Sequence, residues 1–359
     1  LYHLIFVVKI KNNMKVCILG SGLTALTLAK ALVNQNIFVD LVPSYKKFKN
    51  NSSRTIGITK SNCEYFNRDI ISIDNFIWKL KKIEIFSDYL GNEKILNFEN
   101  KDQLFSIIKN NEILEILSKS LSKNKFFKKL KLEEKYIELD KYNLLINTDY
   151  NSKFTKKYFN KKIKKTYNSS AYTTVINHEK ILNDVAIQIF SKFGPLAFLP
   201  ISSNKTSIVY SIYNSKINNC DKIIELINKY NPKYKIKKIE RLETFDLKSF
   251  VLRSYYHKNI LAFGDLLHKV HPLAGQGFNM TIRDIKTLIY IIKQKIDLGM
   301  PIDSSVNKEF EKKLRSKNYI FSTGIDLIHE FFNFERKLNS NVLTKSIKLL
   351  GRNNSINKM

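Results

Sequence analysis

Residues 264–280, GDLLHKVHPLAGQGFNM, concentrate groups that could do chemistry. His268 and His271 first raise metal ligation. The histidine spacing is poor for one helix face, and no neighbouring cysteine or carboxylate completes a ligand set, so no metal is expected. The alternative is cofactor binding. Asp265 closes an apolar run, NILAFGD, where a carboxylate can accept hydrogen bonds from the hydroxyls of a sugar alcohol. Pro272 fixes a turn. Gly275 and Gly277, flanking Gln276, let the main chain pass close to a flat ring. The helix expected from about Asn279 directs N–H groups and a positive dipole end toward that place.

A second constellation, Gly20-Ser21-Gly22-Leu23-Thr24-Ala25, lies in CILGSGLTALTLAKAL. Gly20 allows a tight turn after the strand KVCILG, and Gly22 lets backbone approach a pyrophosphate. Ala25 stands where a small residue gives close helix–strand packing. The apolar spacing after it predicts a helix, and IFVDLV (37–42) a second strand, so the unit reads as βαβ. A dinucleotide is the expected ligand. A flavin fits the second constellation, because it gains negative charge on reduction and a helix N-terminus stabilises that charge. The acid expected after the second strand is absent. Its place falls on Pro43 or Ser44, Asp40 lies inside the strand, and Ser44 could accept one weaker bond.

The elements that must position these groups predict an α/β fold: a Rossmann-like cofactor domain interleaved with a substrate domain on an antiparallel sheet, plus a helical C-terminal tail. The expected cofactor domain comprises 14–75, 102–154 and 251–300, the last carrying Asp265 and the helix after it. The substrate domain is expected from strands in 76–101 and a sheet in 155–250, where SAYTTVINHE, VAIQIF, LAFLPIS and TSIVYSIY alternate with polar turns. Residues 102–123 read as a helix from about Lys109, and KKYFNKKIKK (156–165) as a solvated face or loop. Residues 301–359 read as C-terminal helices. Among them, IDLIHEFFNFERKL and NVLTKSIKLLGR are expected to pack on the core, with docking at a membrane interface as the alternative.

Composition narrows the function. The formal charge is +29. The lysines are spread along the chain among Asn, Ile, Tyr and Phe rather than gathered on a nucleic-acid motif, so no nucleic-acid partner is expected. A lysine-rich face near anionic lipid remains open. Cys17, Cys63 and Cys220 are scattered and odd in number, which fits a reducing compartment. No apolar run approaches the roughly 20 residues of a membrane helix. LYHLIFVV (1–8) lacks the features of a signal peptide. Met14, just before the first strand, reads as the natural start, with 1–13 upstream of it.

GDLLHKVHPLAGQGFNMTIRD resembles the GD motif of the flavoprotein aromatic hydroxylases, the para-hydroxybenzoate hydroxylase-like family. In detail it is similar to the ubiquinone-biosynthesis branch of UbiH/UbiF type. RTIGIT, GPLAFLP and FEKKLRSKN are similar to further segments of that family, so the resemblance runs from about Met14 to residue 330. It implies FAD held by Gly20, Gly22, Leu23, Thr24, Ala25, Arg54, Asp149 and Asp265. The loop Pro272, Gly275, Gln276, Gly277, Phe278 and Asn279 would lie against the flavin ring. It also implies NAD(P)H as co-substrate and O2 as oxidant, with oxygen delivered to the ring of a polyprenylated phenol. No acid or base is obligatory for that transfer, so no catalytic residue is named. A ubiquinone-biosynthesis complex and a peripheral contact with the cytoplasmic face of the inner membrane follow as partner and location. Two alternatives stand: hydroxylation of a small soluble aromatic compound, and a catalytically weakened flavin-binding or scaffold subunit. Residues 166–240 contain no arginine, which favours a greasy ring over an aromatic acid. The segment TDYNS departs from the family pattern: Tyr150 replaces a glycine, and Lys153 and Lys156 replace Ser and Arg.

Overall fold

The structure, a computed structural model, describes residues 14–44, 54–88, 91, 93–131, 133–213, 219–271, 275–338 and 345. In chain order β1 (Lys15–Leu19), α1 (Leu23–Val33) and β2 (Phe38–Val42) form the βαβ unit. β3 (Thr55–Thr59), α2 (Lys60–Tyr65), β4 (Trp78–Leu80), β5 (Lys82–Ser87), β6 (Glu93–Glu99), β7 (Phe105–Lys109), α3 (Asn110–Ser122) and β8 (Phe127–Lys129) follow. The middle of the chain holds β9 (Leu144–Asn147), α4 (Lys153–Tyr158), β10 (Lys162–His178), β11 (Val185–Ser191), β12 (Gly194–Ser202), β13 (Lys205–Tyr213) and α5 (Cys220–Lys229). It ends with β14 (Ile236–Ile239), β15 (Glu243–Leu252), β16 (Tyr256–His257), β17 (Ile260–Ala262), β18 (His268–Lys269), α6 (Gln276–Asp297) and α7 (Ser304–Leu338).

The first sheet has the order β16-β17-β9-β1-β2-β8. β1 pairs in parallel with β2 on one side and β9 on the other, and β17 extends the sheet beyond β9 in parallel. Strands buried on both faces must be apolar throughout. VCIL of β1 and LLI of β9 meet that demand, with every one of those residues buried. The chain leaves β1 toward β2 and later returns on the opposite side at β9. The carboxyl end of β1 is therefore a switch point, where open α/β sheets place their ligands.

The second sheet follows β18-β15-β10-β13-β12-β11-β5-β6, with β14 also paired to β10. One face is covered by α5, whose Ile223 and Ile227 join Ile208, Tyr210 and Phe198 in a core of their own. The other face turns toward a three-stranded sheet, β3-β7-β4, where Leu199 and Ile201 pack with Leu80, Phe105 and Ile107. There Thr55 donates a 2.9 Å hydrogen bond to Ser207.

Several local expectations change. The run 156–165, read as a solvated face or loop, takes in the end of α4 and from Lys162 forms the first part of β10, paired with β15. Exposed lysines there are the solvent face of a strand. α5 lies inside the span read as sheet alone. Helix α6 starts at Gln276, three residues before the expected Asn279. LYHLIFVV and nearly all of NVLTKSIKLLGR fall outside the described residues.

α7 joins the two units. Val306, Phe310 and Leu314 sit in the cofactor-side core, with Phe310 stacked 5.4 Å from Phe263. Further along, Tyr167 of β10 donates to Asp326, and Lys165 pairs with Glu330 at 3.2 Å. A buried polar network fixes this helix to α6. His268 Nε2 lies 2.6 Å from Asp284 Oδ2, and both side chains are fully buried. Asn318 donates to Asp284 Oδ1 at 3.3 Å and accepts from Arg283 at 3.0 Å. Removing the carboxylate strands two buried partners, a loss of about 3 kcal/mol. Asp284→Ala is therefore expected to lower unfolding free energy by that amount in urea titration. A loss below about 1 kcal/mol would show that the network does not hold the helices together.

Candidate cofactor and substrate site

The turn after β1 is built for close approach. Gly20 has φ +122°, and a Cβ on it would lie 2.2 Å from Thr148 Oγ1. Thr148 in turn donates to the Leu19 carbonyl at 2.7 Å, and Gly20 N–H reaches the Val42 carbonyl at 2.9 Å. Gly22 caps α1 without a side-chain bond, and the helix has no acid in its first turn. Its ladder begins with Leu26 N–H on the Gly22 carbonyl at 3.1 Å. The N–H groups of Leu23, Thr24 and Ala25 are thus left at a bare positive end. A Cβ on Gly22 would meet nothing within 4 Å. An uncapped helix end with open space at its mouth suits a pyrophosphate.

Two distant segments close on this turn. Gly264, at φ +65°, would place a Cβ 2.4 Å from Thr24 Cγ2, so the GD turn and the GSGLT turn touch. Asp265 beside it is exposed, its carboxylate available to hydroxyl donors. The segment TDYNS is the other. Asp149 is buried and holds a turn: its carboxylate accepts from Asn151 N–H at 2.9 Å and its carbonyl from Thr155 Oγ1 at 2.6 Å. Tyr150 is exposed and leans on Phe250, with Lys162 Nζ 4.1 Å and 4.5 Å from the two ring centres. Burial there, with Lys164 nearby, lowers the Lys162 pKa to about 8. Asp40 is spent on Lys15 and Tyr142, each at 2.8 Å, as its place inside the strand implied. Ser44 Oγ is shut off from solvent and has no partner among the described residues. An orphaned hydroxyl at the end of β2 fits a sugar hydroxyl.

The second helix end lies across the site. Gly275 takes the left-handed conformation, φ +63° and ψ 28°, and caps α6, again without a side-chain bond or an acid in the first turn. A Cβ on it would sit 3.5–3.9 Å from the backbone of Gly57, and one on Gly277 would meet nothing within 4 Å among the described residues. Asn279 works as a clamp. It accepts from Thr59 N–H at 3.0 Å and Asn62 at 2.9 Å, and donates to the Gly57 carbonyl at 2.9 Å. Its amide therefore fixes β3 to the start of α6. Phe278 packs on Phe66, and Gln276 is half-buried. Arg54 is exposed at the head of β3, its carbonyl bonded to Asn110 N–H at 3.0 Å. His271 stands edge-on to Tyr167 at 4.9 Å. Pro272 lies outside the described residues.

The sheet face opposite carries mostly small residues, with Glu243 at its β15 side. Ala171, Val175, Ala197, Val209 and Ser211 share it with Thr173 and Ser207, as the register of β10, β12 and β13 requires. Sequence reading found the absence of arginine but not this face, because only the pairing register shows which alternate residues share a side.

These features have a counterpart among known proteins. An FAD-binding-domain family model matches residues 216–297, which include Asp265 and the Gly275–Gly277 turn. Across 175 residues the chain is 28% identical to the 3-demethoxyubiquinol 3-hydroxylase of Escherichia coli, covering 46% of this chain and 44% of that protein. It is 25% identical over 209 residues to the mitochondrial ubiquinone biosynthesis monooxygenase COQ6 of Xenopus tropicalis, covering 46% and 45%. The chain is thus similar, over part of its length, to hydroxylases of ubiquinone biosynthesis. It matches somewhat under half the length of these curated relatives. Klebsiella pneumoniae HpxO, solved with FAD and uric acid, superposes with a TM-score of 0.73 at 12% identity over 94% of this chain and 93% of that one. The p-nitrophenol 4-monooxygenase PnpA of Pseudomonas putida gives 0.72 at 12% identity over 95% of both. These two likenesses concern the fold.

FAD is the cofactor to which the matched domain belongs, and the two bare helix ends, the open space at Gly22 and Gly277 and the orphaned Ser44 hydroxyl fit it. Gly20→Ala forces a side chain against Thr148 and into a left-handed turn. It is expected to lower Tm with or without FAD. Gly22→Ala has room for its methyl in the free protein. It should melt as wild type without FAD yet lose the rise in Tm that FAD confers. Equal FAD-induced shifts in wild type and Gly22→Ala would contradict this assignment.

Proposed function

We propose that the chain is an FAD-dependent aromatic-ring monooxygenase of ubiquinone biosynthesis, hydroxylating a polyprenylated phenol with NAD(P)H and O2. One observation carries the reading: α1 and α6 both begin without a side-chain cap or an early acid, and the described residues leave open space at Gly22 and Gly277. Leu23, Thr24 and Ala25 would offer N–H groups to the pyrophosphate, Gly20 and Gly22 giving it room. Asp265 would accept from the ribityl hydroxyls, and Arg54 and Asp149 would flank the same moiety. The Gly275–Asn279 turn, with Pro272 before it, would meet the ring. There the α6 dipole favours the negative charge that reduction brings.

Bound in this place, FAD supplies two-electron acceptance from NAD(P)H and activation of O2. The protein's own work is positional. The sheet face holds the aromatic ring against the cofactor side. Its apolar packing, continuous through Leu199, Ile201 and Phe105, excludes water from the transfer. Asn279, by tying β3 to α6, keeps the two walls of the groove in register. A lipid-borne ring would bring the protein to a membrane surface. α7 supports this, since Ile320 (70% exposed), Leu327 (63%) and Phe334 (55%) recur every seventh residue on its outer side. No helix among the described residues is long and apolar enough to cross a membrane. The attachment would therefore be peripheral, on the cytoplasmic face of the inner membrane.

The second reading, a flavin-binding or scaffold subunit of a biosynthetic complex, draws on the missing acid after β2 and on an Asp149 engaged in its own turn. Purified protein separates the two. The enzyme is expected to be yellow, to oxidise NADH or NADPH and to consume O2. Cells lacking the gene should accumulate an under-hydroxylated polyprenylphenol. Colourless protein that FAD does not stabilise would favour the scaffold, and unchanged quinone would overturn the pathway assignment. For the membrane contact, wild type should sediment with vesicles containing anionic lipid, and Leu327→Ser/Phe334→Ser should stay in the supernatant. Equal sedimentation of the two would exclude this face.

A further inference from the structure

The groove floor contains one place where polarity is left over. Thr173 of β10 pairs directly with Glu243 of β15 on one side and Val209 of β13 on the other. Directly paired residues share a face. Ser207 lies two residues before Val209 and bonds to Thr55 of the cofactor-side sheet. The row Glu243–Thr173–Val209 therefore faces the cofactor side. Leu242, the neighbour of Glu243, packs into the core beneath α5 on the opposite face, which confirms the alternation. Glu243 Oε2 and Thr173 Oγ1 are both closed off from solvent, and neither has a hydrogen-bond partner among the described residues. Other polar groups of this face are satisfied: Ser207 by Thr55, and Gln188 by the Leu196 carbonyl at 3.1 Å.

Buried donors and acceptors without partners are costly, and native structures keep them where a ligand or water completes them. A threonine hydroxyl can donate and a carboxylate can only accept. A group that accepts one bond and donates another completes both, and a neutral hydroxyl does so. A second carboxylate would meet Glu243 as a like charge. We propose that Thr173 and Glu243 are the specificity-determining pair of the ring site. They receive a neutral phenolic hydroxyl, Thr173 donating to its oxygen and Glu243 accepting its proton's hydrogen bond, and they turn away aromatic carboxylates. The assignment rests on the aromatic-hydroxylase reading above and adds the substrate's polar handle to it.

The test titrates FAD-loaded protein with 2-prenylphenol, with its methyl ether and with benzoate, following the flavin absorbance. Wild type is expected to bind the phenol about ten-fold more tightly than the ether, the worth of one or two net hydrogen bonds, and benzoate weakly. Thr173→Val and Glu243→Gln should each bring the phenol-to-ether ratio near one with FAD content unchanged. Thr173→Ser should restore the ratio, and Glu243→Gln should improve benzoate binding. Ratios unchanged in both variants would overturn the pair. So would a wild type that binds ether and phenol alike, although the aromatic-hydroxylase reading would then survive. A wild type holding FAD whose spectrum none of these rings perturbs would remove that reading and the pair's ligand together.

Discussion

The site depends on places where main chain comes so close to a neighbour that only hydrogen fits. Gly20 meets Thr148, Gly264 meets Thr24, and Gly57 lies against the Phe105 ring, where a Cβ would come within 2.2 Å. Two of these contacts join the ends of β1, β9 and β17. The third lies between β3 and β7, neighbours in one sheet. Without them the strand ends would splay, and the N-terminus of α1 would no longer face the GD turn. The helix dipoles contribute only because this backbone packing points them at one volume. Each is worth of order 0.3–1 kcal/mol for a nearby anion.

Much of this was legible in the sequence because it is local. Gly20 and Gly22 stand between an apolar run and a helical period, and that arrangement alone specifies strand, turn and helix. Gly275 and Gly277 announce backbone approach in the same way. What could not be read depends on register or on remote partners. Asn279 belongs to the motif, yet its role as a clamp on β3 needs Thr59 and Asn62, over two hundred residues earlier. His268 was set aside as a metal ligand, yet nothing local named its partner, Asp284 on the next helix. Thr173 and Glu243 carry no motif at all. Their meeting follows from the pairing of β10 with β15 across a bulge.

The lysine-rich composition obscured local structure. In 156–165 the charges left a solvated face and a loop open, and the lysines from Lys162 on line the solvent face of a strand, where they also guard against pairing with other chains. The same segment carries Lys162 between two aromatic rings, where the stem packs and the ammonium loses part of its hydration. Charge in this chain is therefore best read strand by strand rather than as a net sum.

The order of strands in the first sheet also constrains synthesis. β1 at 15–19 lacks one neighbour until β9 at 144–147 exists, and β9 lacks one until β17 at 260–262. The Gly20–Gly22 turn is synthesised before the Gly275 turn. A nascent chain therefore holds the first turn before the second exists, with contacts of long sequence separation still to form. A cofactor that binds only the completed fold draws the equilibrium toward that fold at the last stage. Flavin supply would then act on the yield of folded protein as well as on its activity.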